Sequence, residues 1–424
     1  MPSLRKLRPL RTKLLLLLAV VGPGIITANV DNDAGGITTY SVAGAHFGYS
    51  LLWMLALVAL ALIIIQEMSA RLGIVTGKGL ADLIRESLGV RATAAIIGIV
   101  VFVNLANTVS EFAGVAASME IFGVSKYVSV PLAALGVWLL IVKGNYKQVE
   151  RIFLVASAIY FAYVLSGILA NPPWGTVARA FVTPSFHFDG AYITIFVTII
   201  GTTIAPWMQF YQQAAIVDKG LTVDDIGYER IDVIVGSIFA VVVAAFITIA
   251  CAATIFASGQ SIETAADAAA ALGPLAGEYA AILFALGLLN ASVFSAAILP
   301  LSTAYVVCEA FGWESGVSRD WTDAPIFFWV YTALIVLGAA IILLPFQSLI
   351  DVMIASQTLN GVLLPVILVT MLRLINDKRI MGKYVNGRIF NTISWAMVVI
   401  LIFLTVILVI SSVFPGFFST LGMR

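Results

Sequence analysis

Long apolar runs separated by short polar segments dominate the sequence. Each run has about the length that a helix needs to cross the hydrocarbon core of a bilayer, and none shows the two-residue alternation of a membrane β-strand. The pattern therefore predicts an all-α polytopic membrane protein with eleven spans. The predicted spans are 14–43, 50–70, 93–120, 128–142, 152–170, 191–216, 232–257, 279–309, 325–345, 350–372 and 390–414.

Two of these runs are interrupted near their middles. The first contains Gly22-Pro23-Gly24 and then a polar stretch from Asn29 to Gly36, and the sixth contains glycine and proline within 201–206. Glycine costs about 1 kcal/mol inside a helix and proline about 3 kcal/mol. Proline also removes a backbone hydrogen bond that lipid cannot replace. A simple kink is the alternative for each break, and it is weaker for the first, which contains two carboxylates.

The positions of the breaks indicate an internal repeat. Interrupted helices at corresponding places in two halves are typical of inverted-repeat transporters, whose substrate sites lie at the breaks. Spans one and six each open a set of five, at about 14–170 and 191–372, and 390–414 remains as an extra helix. We therefore expect one transmembrane transporter domain over 1–424.

The distribution of basic residues predicts the orientation. With the N-terminus in the cytoplasm, 20 of the 23 lysines and arginines fall on the cytoplasmic side, as the positive-inside rule requires. The basic N-terminal segment superficially resembles a signal peptide, but its apolar run is too long and no cleavage pattern follows. We expect a multi-pass protein of the plasma (inner) membrane with an extracytoplasmic C-terminus.

Composition narrows the functional classes. Hydrophobic residues make up 61% of the chain and charged residues 11%, against about 25% charged in soluble domains, and mean hydropathy is +1.04. The balance of 23 basic and 23 acidic residues gives no reason to expect nucleic acid. Two cysteines and two histidines argue against a disulfide framework or a histidine-based metal site. We expect that the protein is not an enzyme and that it needs no cofactor and no obligate protein partner. Its expected interactions are with a transported substrate and with the lipid bilayer.

The first break contains Asp31 and Asp33, which are expensive in a membrane. An aspartate at the bilayer centre costs about 2.5–3.5 kcal/mol, and no lysine or arginine lies inside a predicted span. Carboxylates beside unwound carbonyls suit a hard divalent cation. At a spacing of two residues the side chains would lie about 200° apart on a helix, so we expect one to bind and the other to face water or the surrounding shell. Both could instead lie in an external vestibule.

Other polar residues in the spans leave two interpretations open. Glu111 in the third span marks either a packing glutamate or a polar pathway. Gln357 and Asn360 in the tenth span either line a cavity or bridge helices. Trp207 and Gln209 follow the sixth-span break, where a glutamine could contact a hydrated ion.

Several segments together resemble the NRAMP family of divalent-metal transporters, and the likeness extends along most of the chain. They are Gly22-Pro23-Gly24, Asp33-Ala34-Gly35-Gly36, Phe47-Gly48-Tyr49-Ser50-Leu51-Leu52-Trp53, Ala70-Arg71-Leu72-Gly73-Ile74-Val75-Thr76-Gly77-Lys78, Gly144-Asn145-Tyr146-Lys147-Gln148, the 201–207 break, Leu283-Phe284-Ala285-Leu286-Gly287-Leu288-Leu289 and Ile380-Met381-Gly382-Lys383-Tyr384-Val385-Asn386. The resemblance implies the LeuT-type fold, which agrees with the two broken spans.

The chain departs from the family in its first and third spans. The first-span motif of the family is DPGN, whose aspartate falls on Asp33, its proline on Ala34 and its asparagine on Gly36. The acidic pair of the family's third span falls on Thr108 and Glu111, so one acidic member is missing. The resemblance therefore implies that the aspartate ligand is kept and the amide ligand is lost.

The chain also departs from the family in the sixth span. The family motif there is MPH, whose methionine falls on Ala205, its proline on Pro206 and its histidine on Trp207. The residue whose carbonyl binds metal in the family falls on Thr202. The soft thioether, which favours transition metals over magnesium, is therefore absent.

These departures resemble the NRAMP-related magnesium transporters. The resemblance implies a secondary transporter that imports Mg²⁺, and also Mn²⁺, by alternating access, with the ion partly hydrated and no proton coupling. The residues expected at the metal are Asp33 as ligand, Thr202 through its carbonyl, and Gly36 and Ala205 as determinants of cavity volume, with Asp31, Glu111, Trp207 and Gln209 as further metal or pathway residues.

Three rival functions remain. The first is a proton-coupled importer of transition metals such as Mn²⁺ or Fe²⁺, of the main NRAMP type. The second is a sodium-coupled carrier of amino acids with the same fold, which the paired aspartates oppose because its substrate carries a carboxylate. The third is a metal sensor without flux, which the absence of a soluble signalling domain disfavours.

Overall fold

A computed structural model describes residues 30–143, 157–187, 189–317, 319–345 and 348–413. The described residues form helices and no β-strand. The α-helices are α1 (Ala34–Phe47), α2 (Leu52–Thr76), α3 (Leu80–Glu120), α4 (Lys126–Val142), α5 (Phe161–Leu169), α6 (Trp174–Val182), α7 (Gly190–Thr203), α8 (Pro206–Asp218), α9 (Ile226–Cys251), α10 (Ala265–Ala269), α11 (Gly273–Ala276), α12 (Ala280–Phe311), α13 (Pro325–Ile342), α14 (Leu349–Asn376), α15 (Lys378–Met381) and α16 (Arg388–Val413). Short 3₁₀ segments occupy Ser157–Tyr160, Val223–Asp225, Ala270–Leu272, Gly277–Tyr279 and Gly382–Tyr384, and a π-helical turn, Ala252–Phe256, follows α9.

The helices match the predicted spans one by one. Eight helical segments in the described residues are long and apolar enough to cross a membrane. Two shorter apolar helices, Lys126–Val142 and Ala158–Leu169, coincide with the fourth and fifth predicted spans. The first predicted span, 14–43, is described only from residue 30 onward, where it includes the start of α1, and residues 14–29 lie outside the described residues. The predicted all-α membrane class is therefore confirmed.

Several helices extend beyond the predicted spans. α3 begins at Leu80 although the apolar run begins at 93, and Gly89 interrupts it with φ 77° and ψ 166°. α2 continues to Thr76 and so includes Arg71, which the sequence placed beyond the second span. Hydropathy detects only the part of a helix that crosses lipid. A helix that continues into water through charged residues keeps its backbone hydrogen bonds, so its ends lie beyond the apolar run.

Within the described residues, each break is confined to two residues. Residues 30–31 are helical, Asn32 and Asp33 are not, and α1 begins at Ala34, so Gly35 and Gly36 lie inside a helix. In the sixth span only Ile204 and Ala205 leave the helical conformation, between the end of α7 and the start of α8 at Pro206. Gly22-Pro23-Gly24 and the 144–148 segment lie outside the described residues.

Close backbone packing at glycines positions the helices around these breaks. A Cβ atom on Gly201 of α7 would collide with the carbonyl of Gln357 and the amide of Gly361 on α14. A Cβ atom on Gly114 of α3 would collide with Ala34 of α1 and Ser292 of α12. The absence of side chains at these crossings brings α1, α3, α7 and α14 together near the first break.

We expect Gly201→Ala to destabilise the protein. The added methyl group would meet backbone atoms of α14 that cannot move independently, and overpacking of this kind costs about 1–3 kcal/mol. Thermal unfolding of the detergent-purified protein should show a lower midpoint. The control is Gly98→Ala on α3, where a Cβ atom would have open space. An unchanged midpoint for Gly201→Ala would contradict the close crossing of α7 and α14.

Candidate functional site

Asp33 occupies the end of the first break as the N-cap of α1. Its backbone is extended, with φ −70° and ψ −175°, and its Oδ1 accepts a hydrogen bond of 2.6 Å from the Gly36 amide. A carboxylate at a helix N-terminus is stabilised by the free amides and by the helix dipole. The helix thus fixes this buried carboxylate, which is only 4% exposed, without a basic partner.

Three oxygen atoms converge on Gly36. A Cβ atom built on this glycine would lie 2.5 Å from the Asp31 carbonyl oxygen, 3.3 Å from the Thr202 Oγ1 and 3.4 Å from the Asp33 Oδ1. The missing side chain was expected to leave open space. In this conformation it instead admits a carbonyl and a hydroxyl beside the carboxylate. The result is a group of oxygen donors drawn from both broken spans.

The end of α7 supplies further oxygens to this region. Thr202 lies in its last turn, where carbonyls lack helical partners. An α-helix would pair the Thr202 carbonyl with the amide of residue 206, but that residue is proline and has no N–H. The Thr202 hydroxyl is also buried and makes no hydrogen bond to a described residue. The negative end of the α7 dipole adds to the attraction for a cation.

Two more carboxyl groups lie near Asp33. Both oxygens of Asp31 are buried without a hydrogen bond to any described residue, and the residue is 2% exposed. Glu111 on α3 is fully buried, and its Oε2 accepts a hydrogen bond of 3.3 Å from the Ala34 amide. The carboxyl groups of Asp33 and Glu111 also lie within hydrogen-bonding reach of each other. The site therefore gathers three carboxyl groups in one buried region.

No basic side chain among the described residues forms an ion pair with these three carboxyl groups. Arg71 is the buried arginine within α2, but it pairs with Glu67 and donates to the Tyr384 carbonyl and the Asn386 side chain. The remaining compensators for the carboxylates are backbone amides, water and a bound cation, as the sequence led us to expect.

A chain of buried amides connects Asp33 to α3 through α14. Gln357 packs over Gly35, and its Nε2 lies 3.5 Å from the Asp33 Oδ1. Asn360 donates to the Gln357 Oε1 at 2.7 Å and exchanges two hydrogen bonds of 3.0 Å with Asn107. Gln357 and Asn360 therefore bridge helices, and Gln357 also approaches the Asp33 carboxylate.

Two tyrosines that the sequence analysis did not single out complete the surroundings of the breaks. The Tyr160 hydroxyl donates to the Asn32 carbonyl at 3.0 Å, and the Tyr40 hydroxyl lies 2.7 Å from the Thr203 Oγ1. Both tyrosines are fully buried. Their signal in the sequence is a polar hydroxyl within an apolar run, which is too common to identify a site.

The other predicted residues surround the second break. Ala205 is the extended N-cap of α8. When the Gln209 side-chain amide is oriented so that its nitrogen faces acceptors, Gln209 donates hydrogen bonds to the carbonyl oxygens of Ala205 at 2.9 Å and Pro206 at 2.8 Å. Trp207 is 2% exposed, its carbonyl accepts a hydrogen bond from Ser302, and its ring lies beside Tyr211. Gln209 and Trp207 therefore hold the shape of the break in this conformation.

The polar atoms gathered around Gly36 are all oxygens. Carboxylate, carbonyl and hydroxyl oxygens are the ligands of hard divalent ions. Within the described residues no three acidic, histidine or cysteine side chains are placed to enclose an ion by themselves. Backbone oxygens, hydroxyls and water would have to complete the coordination.

Comparison with protein families identifies one match over nearly the whole chain. The model of the family described as "Natural resistance-associated macrophage protein-like" (Nramp) matches residues 24–411. Among curated relatives, a protein of Ralstonia nicotianae named divalent metal cation transporter MntH is 29% identical over 90% of this chain and 88% of its own length. A protein of the same name from Bacillus subtilis is 25% identical over 93% of both chains.

Solved structures share the fold. A manganese transporter of Eremococcus coleocola, crystallised with an aromatic bis-isothiourea substituted compound, aligns with a TM-score of 0.77 at 24% identity, over 97% of this chain and 90% of its own. MHP1, a nucleobase-cation-symport-1 family transporter, aligns with a TM-score of 0.60 at 14% identity, over 94% of both chains. These likenesses confirm the predicted LeuT-type fold.

We expect Gly36→Ala to weaken cation binding at least about tenfold, which corresponds to 1.4 kcal/mol. The new methyl group would displace the Asp31 carbonyl and crowd both Thr202 and Asp33. Isothermal titration of the purified protein with Mg²⁺ and Mn²⁺ measures the change. Gly136→Ala on α4, where a Cβ atom meets nothing, is the matched control. Equal affinities for the two variants would show that the oxygens around Gly36 do not bind the ion.

Proposed function

Because the chain belongs to the Nramp family, we propose that it is a membrane transporter that imports divalent cations, Mg²⁺ and also Mn²⁺, by alternating access. It lies in the plasma (inner) membrane with its N-terminus in the cytoplasm and its C-terminus outside, as the lysine and arginine distribution favours. The curated relatives named as divalent metal cation transporters support the general class of substrate.

One observation supports the central site above all others. The Asp33 carboxylate, the Asp31 carbonyl and the Thr202 hydroxyl surround the same point beside Gly36. All three donors are oxygen, and they come from the two broken spans that change their relation during alternating access. Asp33 is the ligand with the full charge, Thr202 adds its hydroxyl and carbonyl, and Glu111 and Asp31 increase the negative potential.

The proposed ion keeps part of its water shell. Magnesium requires six ligands in octahedral geometry and gives up water reluctantly. The protein offers three oxygens around Gly36 and no enclosing set of acidic side chains among the described residues. Water is the natural source of the missing ligands. Ala205, at the position of the family's methionine, adds no side-chain ligand, so nothing in this set of donors favours a soft transition metal over Mg²⁺.

Transport needs no proton in this proposal. A divalent cation that moves inward gains about 4.6 kcal/mol per 100 mV of membrane potential, twice the value for a single charge. The chain has Trp207 and Thr108 at the positions of a histidine and an acidic residue that the main family uses in proton movement. Uptake driven by the ion gradient and the potential is therefore sufficient.

A second candidate is a proton-coupled importer of transition metals. The observation in its favour is Glu111, a fully buried carboxyl group beside Asp33 that could accept a proton when the ion binds. The names of the curated relatives are compatible with this function as well. An amino-acid carrier is opposed by the three buried carboxyl groups, which would repel the carboxylate of its substrate.

We expect Asp33→Ala to abolish Mg²⁺ uptake into proteoliposomes. The variant loses the only full charge among the oxygens around Gly36, and the isosteric Asp33→Asn should lose most of the uptake as well. Flux is followed with an internal Mg²⁺ dye under an inward-negative potential. The matched control is Glu86→Gln on α3, an exposed carboxylate paired with Lys78. Uptake by Asp33→Ala at the rate of the unmodified protein would refute the site.

We expect no internal acidification during Mg²⁺ or Mn²⁺ uptake, because the proposed cycle returns no proton. A pH-sensitive dye inside the same vesicles measures this, and the potential alone should accelerate the flux. A large Mg²⁺ excess should also compete with Mn²⁺ uptake, since the oxygen donors discriminate little between these ions. Acidification that tracks entry, together with Mn²⁺ uptake indifferent to Mg²⁺, would establish the proton-coupled alternative.

A further inference from the structure

Three buried amide side chains on α3 and α14 form a hydrogen-bonded chain that ends at Asp33. Asn107 and Asn360 exchange two hydrogen bonds of 3.0 Å, and Asn360 also donates to the Gln357 Oε1 at 2.7 Å. The Gln357 Nε2 in turn lies 3.5 Å from the Asp33 Oδ1. Asn360 is fully buried, and Asn107 and Gln357 are each 1% exposed. The orientation of each amide is therefore set by its neighbours in the protein.

The Asn360 amide decides the direction in which Gln357 points. An amide side chain has an oxygen that only accepts hydrogen bonds and a nitrogen with two N–H donors. Both donors of Asn360 are used, one by the Asn107 Oδ1 and the other by the Gln357 Oε1. Since its oxygen is held by Asn360, Gln357 presents its nitrogen to the Asp33 carboxylate.

Turning the Gln357 amide alone would be unfavourable. Its nitrogen would then face the Asn360 nitrogen, and its oxygen would face the Asp33 carboxylate oxygen. Buried polar groups that lose their partners in this way have no water to replace them. The Gln357 side chain also packs directly over Gly35, where not even a Cβ atom would fit. Gln357 can therefore reverse without losing hydrogen bonds only if both asparagine amides turn with it.

This orientation affects how an ion can bind beside Asp33. Only the oxygen of an amide coordinates a hard cation, and the Gln357 oxygen is turned away towards Asn360. The Asp33 Oδ1 accepts a hydrogen bond from the Gly36 amide and faces the Gln357 nitrogen. Its second oxygen is left for an ion or for a water molecule bound to the ion. The amide chain therefore withholds one oxygen ligand from the site.

We propose that Asn360, held by Asn107, is a positioning residue that keeps the Gln357 nitrogen turned towards Asp33 and so denies the ion an amide oxygen. The ion keeps a water molecule in place of that ligand, which favours Mg²⁺ because this ion gives up water reluctantly. The proposal rests on the proposed function, since it requires the ion to bind beside Asp33.

The test compares Mn²⁺ and Mg²⁺ affinities of the full-length purified protein. Electron paramagnetic resonance of free Mn²⁺ measures the first, and competition by Mg²⁺ measures the second. Asn360→Ala removes both donors and leaves Gln357 free to turn its oxygen to the ion. The affinity for Mn²⁺ relative to Mg²⁺ should rise about tenfold, equivalent to 1.4 kcal/mol. Asn360→Asp, whose carboxylate accepts instead of donating, should shift the ratio in the same direction.

Two controls separate positioning from packing. Asn104→Ala on α3 is the matched variant, because Asn104 is also fully buried but donates to Thr303 of α12. It should leave the ratio of affinities unchanged, as should any substitution that affects only the stability of the protein. In a Gln357→Leu background, Asn360→Ala should no longer change the ratio, because Asn360 acts through Gln357.

Size-exclusion profiles and thermal unfolding verify that the variants fold. Should Asn360→Ala fail to fold, Asn107→Ala, which releases the Asn360 amide, serves instead and should shift the ratio in the same direction. An unchanged ratio, or a shift that persists in the Gln357→Leu background, overturns the proposal. Binding that is indifferent to Asp33→Ala refutes the central site and this proposal with it. Binding that requires Asp33 but keeps its ratio in Asn360→Ala refutes this proposal alone.

Discussion

The burial of carboxyl groups without basic partners in a low-dielectric interior is the constraint on which the centre of this protein depends. Asp31, Asp33 and Glu111 are buried together, and no lysine or arginine in the described residues pairs with them. Such a group is tolerated only if the backbone supplies donors or an ion enters. The break in the first span provides the donors, because it exposes the amides of Ala34 and Gly36 at the start of α1.

Glycine makes the required approach of several helices possible. Gly35 lies beneath the Gln357 side chain, Gly36 beside oxygens of Asp31 and Thr202, and Gly201 against the backbone of α14. A side chain at Gly36 would push the two broken spans apart, and one at Gly201 would push α7 away from α14. The same close packing that stabilises the helix bundle therefore also brings the oxygens to one point.

A related problem occurs at Glu229, whose buried carboxyl group lies beside the Gln212 amide and lines a small cavity together with Arg71 and Arg230. Between the two places α8 presents a face of buried glutamines. In an apolar protein such groups lose hydration in every conformation in which they stay buried. Their cost is offset where neighbouring side chains, backbone groups or water pair with them.

The sequence by itself determined the class and the outline of the fold. Its apolar runs predicted the helices, because lipid allows only segments that satisfy their own backbone, and Pro206 and the polar residues near Asp33 marked the two breaks. It also singled out Asp33 and Glu111, since charge is rare in such runs, whereas Thr202 was indicated only by the family resemblance. Only the tertiary structure decided which oxygens meet at Gly36 and that Gln357 reaches Asp33. It also decided that Arg71 pairs with Glu67. These contacts depend on how helices distant in sequence cross, and the periodicity of a single helix contains no information about its neighbours.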